Sequence, residues 1–207
     1  MTSSGALAEQ PLAQRLRATS TLLDTLRFGR KSVEADLHLV NNQTLIEHKS
    51  VSLSSPRRLA SLYLDPLLET LRMQNPSSDF ATNSTVATVN GIFDCDPEQS
   101  LQLLLDCKTD DLTLHPAVIS AVDRFRSLDL LTTCGTTSSF SITRPLTVTC
   151  TGSCPLALVD AQQPLRDVFF DAPLHDISNS SYTSANGMMA STSLKRFTHE
   201  LDEHARY

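Results

Sequence analysis

The sequence predicts an α/β fold built on a parallel sheet. Three observations carry this. Segments with a period of two alternate along the chain with segments of helical period. The run Leu101 to Leu105 is short and continuously apolar, as suits a strand covered on both faces. Charged or polar residues (Asp36, His48, Asp106, Asp171) recur at or near the ends of these strands, where parallel α/β sheets gather their sites. With 207 residues the chain can build one substantial core.

The elements follow in order. Residues 1–10 are expected to be a disordered N-terminus, and 11–207 a single domain. Leu12, Leu16, Leu22, Leu23 and Leu26 recur near helical spacing before Gly29, a fitting helix C-cap. Residues 33–40 alternate strictly, with Val33, Ala35, Leu37 and Leu39 on one strand face and Glu34, Asp36 and His38 on the other. Asn41–Gln43 make a turn, and 44–48 a short second strand. Ser54-Ser55-Pro56 starts a helix with Leu59, Leu62, Tyr63, Leu67, Leu68 and Leu71 inward, which Pro66 should kink or divide. Residues 75–97 read as a loop. The strand at 101–105 ends in Asp106-Cys107-Lys108. Pro116 opens a helix with Val118, Ile119, Val122, Phe125 and Leu128 inward. Residues 145–150 and 167–171 read as strands. Residues 175–193, rich in Ser, Asn and Thr, read as a flexible loop, and a last helix is expected from Ser193.

Composition narrows the function classes. The formal charge is −6 and the pI about 5.4. No basic patch carries interleaved aromatics, so no nucleic-acid partner is expected. No apolar run approaches the ~20 residues of a membrane span, and the start lacks a signal-peptide pattern. A soluble chain, cytoplasmic by default, is the expectation. The five cysteines show no CxxC spacing, so zinc is not expected and reduced thiols are the default, with one disulfide possible. Cys150 and Cys154, spaced CxxxC, read as two buried thiols. His115, His175, His199 and His204 read as exposed. Oligomeric state is not legible.

The Glu34/Asp36 strand carries the chemistry. Two carboxylates about 7 Å apart on one strand face interrupt an apolar segment, and burying them is costly without a compensating cation. The alternative is an exposed strand with a polar outer face. Asp106 and Lys108, two apart, share a face of their own strand. Three carboxylates without a thiolate suit a hard cation, Mg²⁺ or Ca²⁺. Mg²⁺ is favoured because it keeps waters and takes phosphate oxygens as ligands. Lys108 can neutralise a phosphate oxygen, and His48 can act as general acid or base. His38 shares the carboxylate face.

Four segments at fitting spacing extend this reading: Ser-Val-Glu-Ala-Asp-Leu-His-Leu-Val (32–40), Leu-Tyr-Leu-Asp-Pro-Leu-Leu (62–68), Leu-Leu-Leu-Asp-Cys-Lys-Thr-Asp (103–110) and Val-Phe-Phe-Asp-Ala-Pro-Leu (168–174). Together they resemble the fungal "altered inheritance of mitochondria protein 6" family of phospholipase C-like phosphodiesterases, relatives of glycerophosphodiester phosphodiesterases and sphingomyelinase D. The resemblance implies a TIM-type (β/α) barrel. It implies metal ligation by Glu34, Asp36 and Asp106, catalytic roles for His48 and Lys108, and hydrolysis of a phospholipid or glycerophosphodiester. The family's first-strand histidine motif has no counterpart in Ala13-Gln14-Arg15-Leu16-Arg17, and Glu47-His48-Lys49 stands where Gly-His-Asp is usual. The expectation is therefore an incomplete barrel, lacking its first strand and its last one or two. Two functions follow: a phosphodiesterase weakened by the lost histidine, or an inactive remnant that binds metal or lipid or serves as an interaction surface.

Overall fold

A computed structural model describes residues 22–41, 43–46, 57–76, 89–109, 112–136, 140–194 and 197–198. Strand β1 (Ser32–Val40) buries Val33, Ala35 and Leu37 while Glu34 stays exposed and Asp36 half-buried. Asn41, at φ +49°, turns the chain into β2 (Gln43–Ile46), antiparallel to β1. His48 lies outside the described residues. A π-helical turn at Ala60–Leu64 runs into helix α1 (Asp65–Gln74). Pro66 does not divide the helical segment: the backbone stays right-handed helical through Leu64 and Asp65, and the π-helical turn lies directly before the proline.

Strand β3 (Leu101–Cys107) departs from expectation. Leu101, Leu103, Leu105 and Cys107 are buried, but Gln102, Leu104 and Asp106 are only half-buried. One face is covered by helices and the other stays open, although the sequence shows leucine on both. Next come α2 (Leu114–Ala121), α3 (Asp123–Arg126), β4 (Thr133–Gly135), β5 (Ser141–Ile142) and β6 (Leu146–Gly152). They are followed by α4 (Leu156–Asp160), β7 (Leu165–Arg166), β8 (Val168–Pro173), a 3-10 turn (Leu174–Asp176) and β9 (Gly187–Ser191).

Two sheets result. The larger has the order β2-β1-β3-β6-β8-β9, in which β1, β3, β6, β8 and β9 run parallel. It is open among the described residues, with β2 and β9 at its edges. The smaller is antiparallel, β5-β4-β7. Strand β9 corrects the reading of 175–193 as a loop. Gly187-Met188-Met189-Ala190-Ser191 has little strand propensity, and pairing with β8 supplies what composition lacks.

The covered face of the large sheet packs on Leu59, Leu64, Leu67, Leu71, Leu114, Val118, Val122 and Phe125. Salt links pin the elements around it. Arg126 grips the buried Asp167 through two nitrogens, one at 2.9 Å. The buried Arg166 donates to Val159 O (3.1 Å), Ala185 O (2.6 Å) and Asp160 Oδ1 (3.1 Å), so its charge is not stranded. All five cysteines are free thiols, four of them buried. His115, expected at the surface, is buried at the start of α2. Among the described residues no helix is long and apolar enough to cross a membrane.

Phe125 is fully buried and touches the core from α3. Phe125→Ala is expected to cost about 3–5 kcal/mol in urea unfolding. An exposed leucine such as Leu194 changed to Ala should cost less than about 0.5 kcal/mol.

Candidate metal centre

Parallel pairing builds the site. The register sets Asp36 of β1 beside Asp106 of β3, and Asp106 beside Thr151 of β6. Glu34 lies two residues before Asp36, on the same face. Carboxylate oxygens of Glu34, Asp36 and Asp106 come within 4.8 Å of one another. Lys108 follows β3, and its backbone N–H donates to Leu37 O at 3.0 Å, extending the β1–β3 ladder by one rung. Its ammonium lies 2.8 Å from Asp36 Oδ1 and also bonds Asp106 Oδ2. The structure thus gathers four of the five site residues expected from sequence.

The electrostatics follow from this crowding. Partial loss of solvent, then the charges of Asp106 and Asp36, push the Glu34 carboxyl above its ordinary value, while Lys108 pulls it down. Loss of solvent opposes the Lys108 charge. Its hydrogen bonds and attraction to Asp106 and Asp36 outweigh that and hold its pKa above the usual lysine range. Three carboxylates and one ammonium leave a formal excess of two negative charges.

Several further residues support the site, and among them Gly152 was not singled out from sequence. The Tyr63 hydroxyl donates to the Glu34 carbonyl at 2.8 Å, tying the helical segment before α1 to β1. Gly152 ends β6 at φ +69°. A Cβ there would collide with the Asp106 carboxylate and lie 2.8 Å from Cys107 O. Only glycine combines that backbone with that approach; a glycine directly after a strand was the available signal. Asp171 has its Oδ2 held by Thr151 at 2.7 Å and Ser191 at 2.5 Å, while its buried Oδ1 has no partner. Through Thr151 it joins the face that carries Asp106. His38 is buried on β1, two residues beyond Asp36.

Oxygen donors from two adjacent parallel strands, with an excess of negative charge, are of the kind that would suit a hard divalent cation. Residues 16–171 match the AIM6-like phosphodiesterase domain. The chain belongs to this family. It is similar to the altered inheritance of mitochondria protein 6 homolog of Arthroderma benhamiae, 36% identical over 169 residues, 82% of this chain and 52% of that protein. It is 31% identical over 180 residues to the protein of that name in Eremothecium gossypii, covering 84% of this chain and 45% of the relative. With the Saccharomyces cerevisiae protein the identity is 31% over 167 residues, 74% of this chain and 41% of the relative. The chain spans about half the length of these curated relatives. No solved structure matches it.

Two outcomes check the geometry. Gly152→Ala should cost at least about 1–2 kcal/mol from the left-handed backbone alone, seen as a lower urea midpoint, and should displace Asp106. For Glu34, a raised folded pKa means the folded state holds more protons than the unfolded one between the ordinary value of 4.5 and the raised one. Stability therefore falls as pH rises through that window. Glu34→Gln should flatten this slope and, without divalent cations, leave the protein equally or slightly more stable at pH 7, by less than about 1 kcal/mol given the residue's exposure.

Proposed function

We propose that the chain is a divalent-cation-dependent phosphodiesterase acting on a phospholipid or glycerophosphodiester. The observation that carries this is the carboxylate trio of Glu34, Asp36 and Asp106 with its unbalanced charge. Membership of a phosphodiesterase-like family supports the reaction type. In this reading the three carboxylates hold Mg²⁺, or alternatively Ca²⁺, leaving positions for water and phosphate oxygens. A cation so held supplies Lewis-acid stabilisation of charge on the phosphoryl group. Lys108, anchored by Asp36 and Asp106, faces the same position and neutralises a second phosphate oxygen. His48 is assigned acid–base work by the resemblance, from outside the described residues.

The same reading takes the large sheet as part of a (β/α) barrel. Its parallel strands enter in chain order, each beyond the last, with no reversal of direction. That winding suits a barrel and lacks the switch point of a doubly wound sheet.

One observation favours a second reading. Residues 13–17 carry no histidine where the resembled family places one. A protein with the cation centre but without the paired acid–base groups would bind a phosphodiester head group and not turn it over.

The test uses the full chain with Mg²⁺. Saturation at about 100 times the dissociation constant should add about 2.7 kcal/mol to unfolding, and Asp36→Asn should remove most of this. Glycerophosphocholine, lysophosphatidylcholine and sphingomyelin are then assayed for release of the head group. Turnover that falls on the order of 10²-fold or more in Lys108→Ala supports catalysis. Stabilisation without turnover of any of them supports the second reading, and no stabilisation by Mg²⁺ or Ca²⁺ overturns the centre itself.

A further inference from the structure

A second cluster lies on the opposite face of the same strand ends. Cys107 follows Asp106, so the pleat turns its side chain away from the carboxylates and into the helix-covered core. The β3–β6 register pairs Leu105 with Cys150, which puts Cys150 on that same covered face. The chain leaves β6 at Gly152 and folds over the end of β3, where Ser153 N–H donates to Cys107 O at 2.9 Å. This brings Cys154 into the group. The three sulfurs all lie within 4.8 Å of one another, with Cys107 and Cys150 3.4 Å apart. Their exposures are 3%, 0% and 6%.

His115 is buried near Cys107. It is 4% exposed at the start of α2, and its Nε2 has no hydrogen-bond partner. Burial pushes its pKa down, against an opposing pull from Cys107. An orphaned polar atom at this depth is costly unless something takes it up.

We propose that Cys107, Cys150 and Cys154 form a buried three-sulfur site for one thiophilic cation of the Zn²⁺ class. Geometry favours this over plain packed thiols. A tetrahedral centre with Zn–S near 2.3 Å sets its sulfurs about 3.8 Å apart, inside the range this cluster spans. The donor set is three sulfurs with no carboxylate, which selects a soft or borderline ion over Mg²⁺. A Cys107–Cys150 disulfide is disfavoured. One strand spacing across and two residues along put their Cα atoms about 8 Å apart, beyond the ~7 Å reach of a bridge. The sequence argued against zinc because no CxxC is present. Pairing of β3 with β6 supplies the proximity that spacing along the chain does not show. Bound there, the cation would tie together the strand ends that carry Asp106 on the front and Gly152 beside it.

The test is a titration of the full chain, reduced and stripped with EDTA, using Co²⁺ as probe and Zn²⁺ as competitor. One equivalent of Co²⁺ should produce a thiolate-to-cobalt charge-transfer band with the visible bands of tetrahedral cobalt, and Zn²⁺ should abolish them. Cys154→Ser, at a loop position, should weaken Zn²⁺ binding on the order of 10-fold or more while the circular dichroism stays native. Asp36→Asn should leave the band intact, which separates this site from the carboxylate centre. Absence of the band in folded, reduced protein overturns the proposal. So does unchanged affinity in Cys154→Ser, or a Cys150–Cys154 disulfide that persists in the presence of excess Zn²⁺ and thiol reductant.

Discussion

Asp36, Asp106 and Thr151 sit side by side because β1, β3 and β6 pair in parallel, in one register. Everything else at the site depends on that alignment. A slip of one residue along β3 would turn Asp106 into the helix-covered core and bring Cys107 to the open face. The register is held by burial. Val33, Ala35, Leu37, Leu101, Leu103, Leu105, Leu146 and Val148 all face the same helices, and a slip would expose one strand's whole apolar set. Apolar packing on one face thus enforces an electrostatically unfavourable arrangement on the other.

The polar face manages that cost locally. Lys108 lies between Asp36 and Asp106, and the ladder bond to Leu37 O fixes where its side chain begins. Gly152 keeps the β6 terminus clear of the Asp106 carboxylate. Tyr63 ties the helical segment before α1 to the Glu34 backbone. These contacts leave negative charge in excess, the condition under which a divalent cation would be held. On the reverse face the same strand ends collect three thiols. Adjacent residues, Asp106 and Cys107, therefore belong to groups of opposite chemical character because the pleat alternates.

Much of the fold was legible because local pattern and tertiary environment agree. The period of two in 33–40 predicts β1, and Leu67, Leu68 and Leu71 form the buried stripe of α1 as their spacing requires. Disagreement arose where neighbours rather than sequence decide. Leucines at every position of 103–105 suggest burial on both faces, yet the open face of the sheet leaves Leu104 half-exposed. Residues 187–191 look like loop and become β9 because β8 offers a free edge. His115 looked like a surface residue and is buried, since nothing in its local sequence marks the depth of α2's first turn.

The sequence by itself determined the residue types of the site and the faces they occupy. Alternation alone puts Glu34 with Asp36, and Asp106 with Lys108. Only the tertiary structure decided that these two pairs share one centre, because strand pairing joins Asp36 to Asp106 across a long stretch of intervening chain that carries no trace of the register. It likewise decided that Cys107 meets Cys150 and Cys154, and that Asp106 needs a glycine beside it. Periodicity is a property of one segment, whereas proximity between segments is fixed by the burial that locks their register.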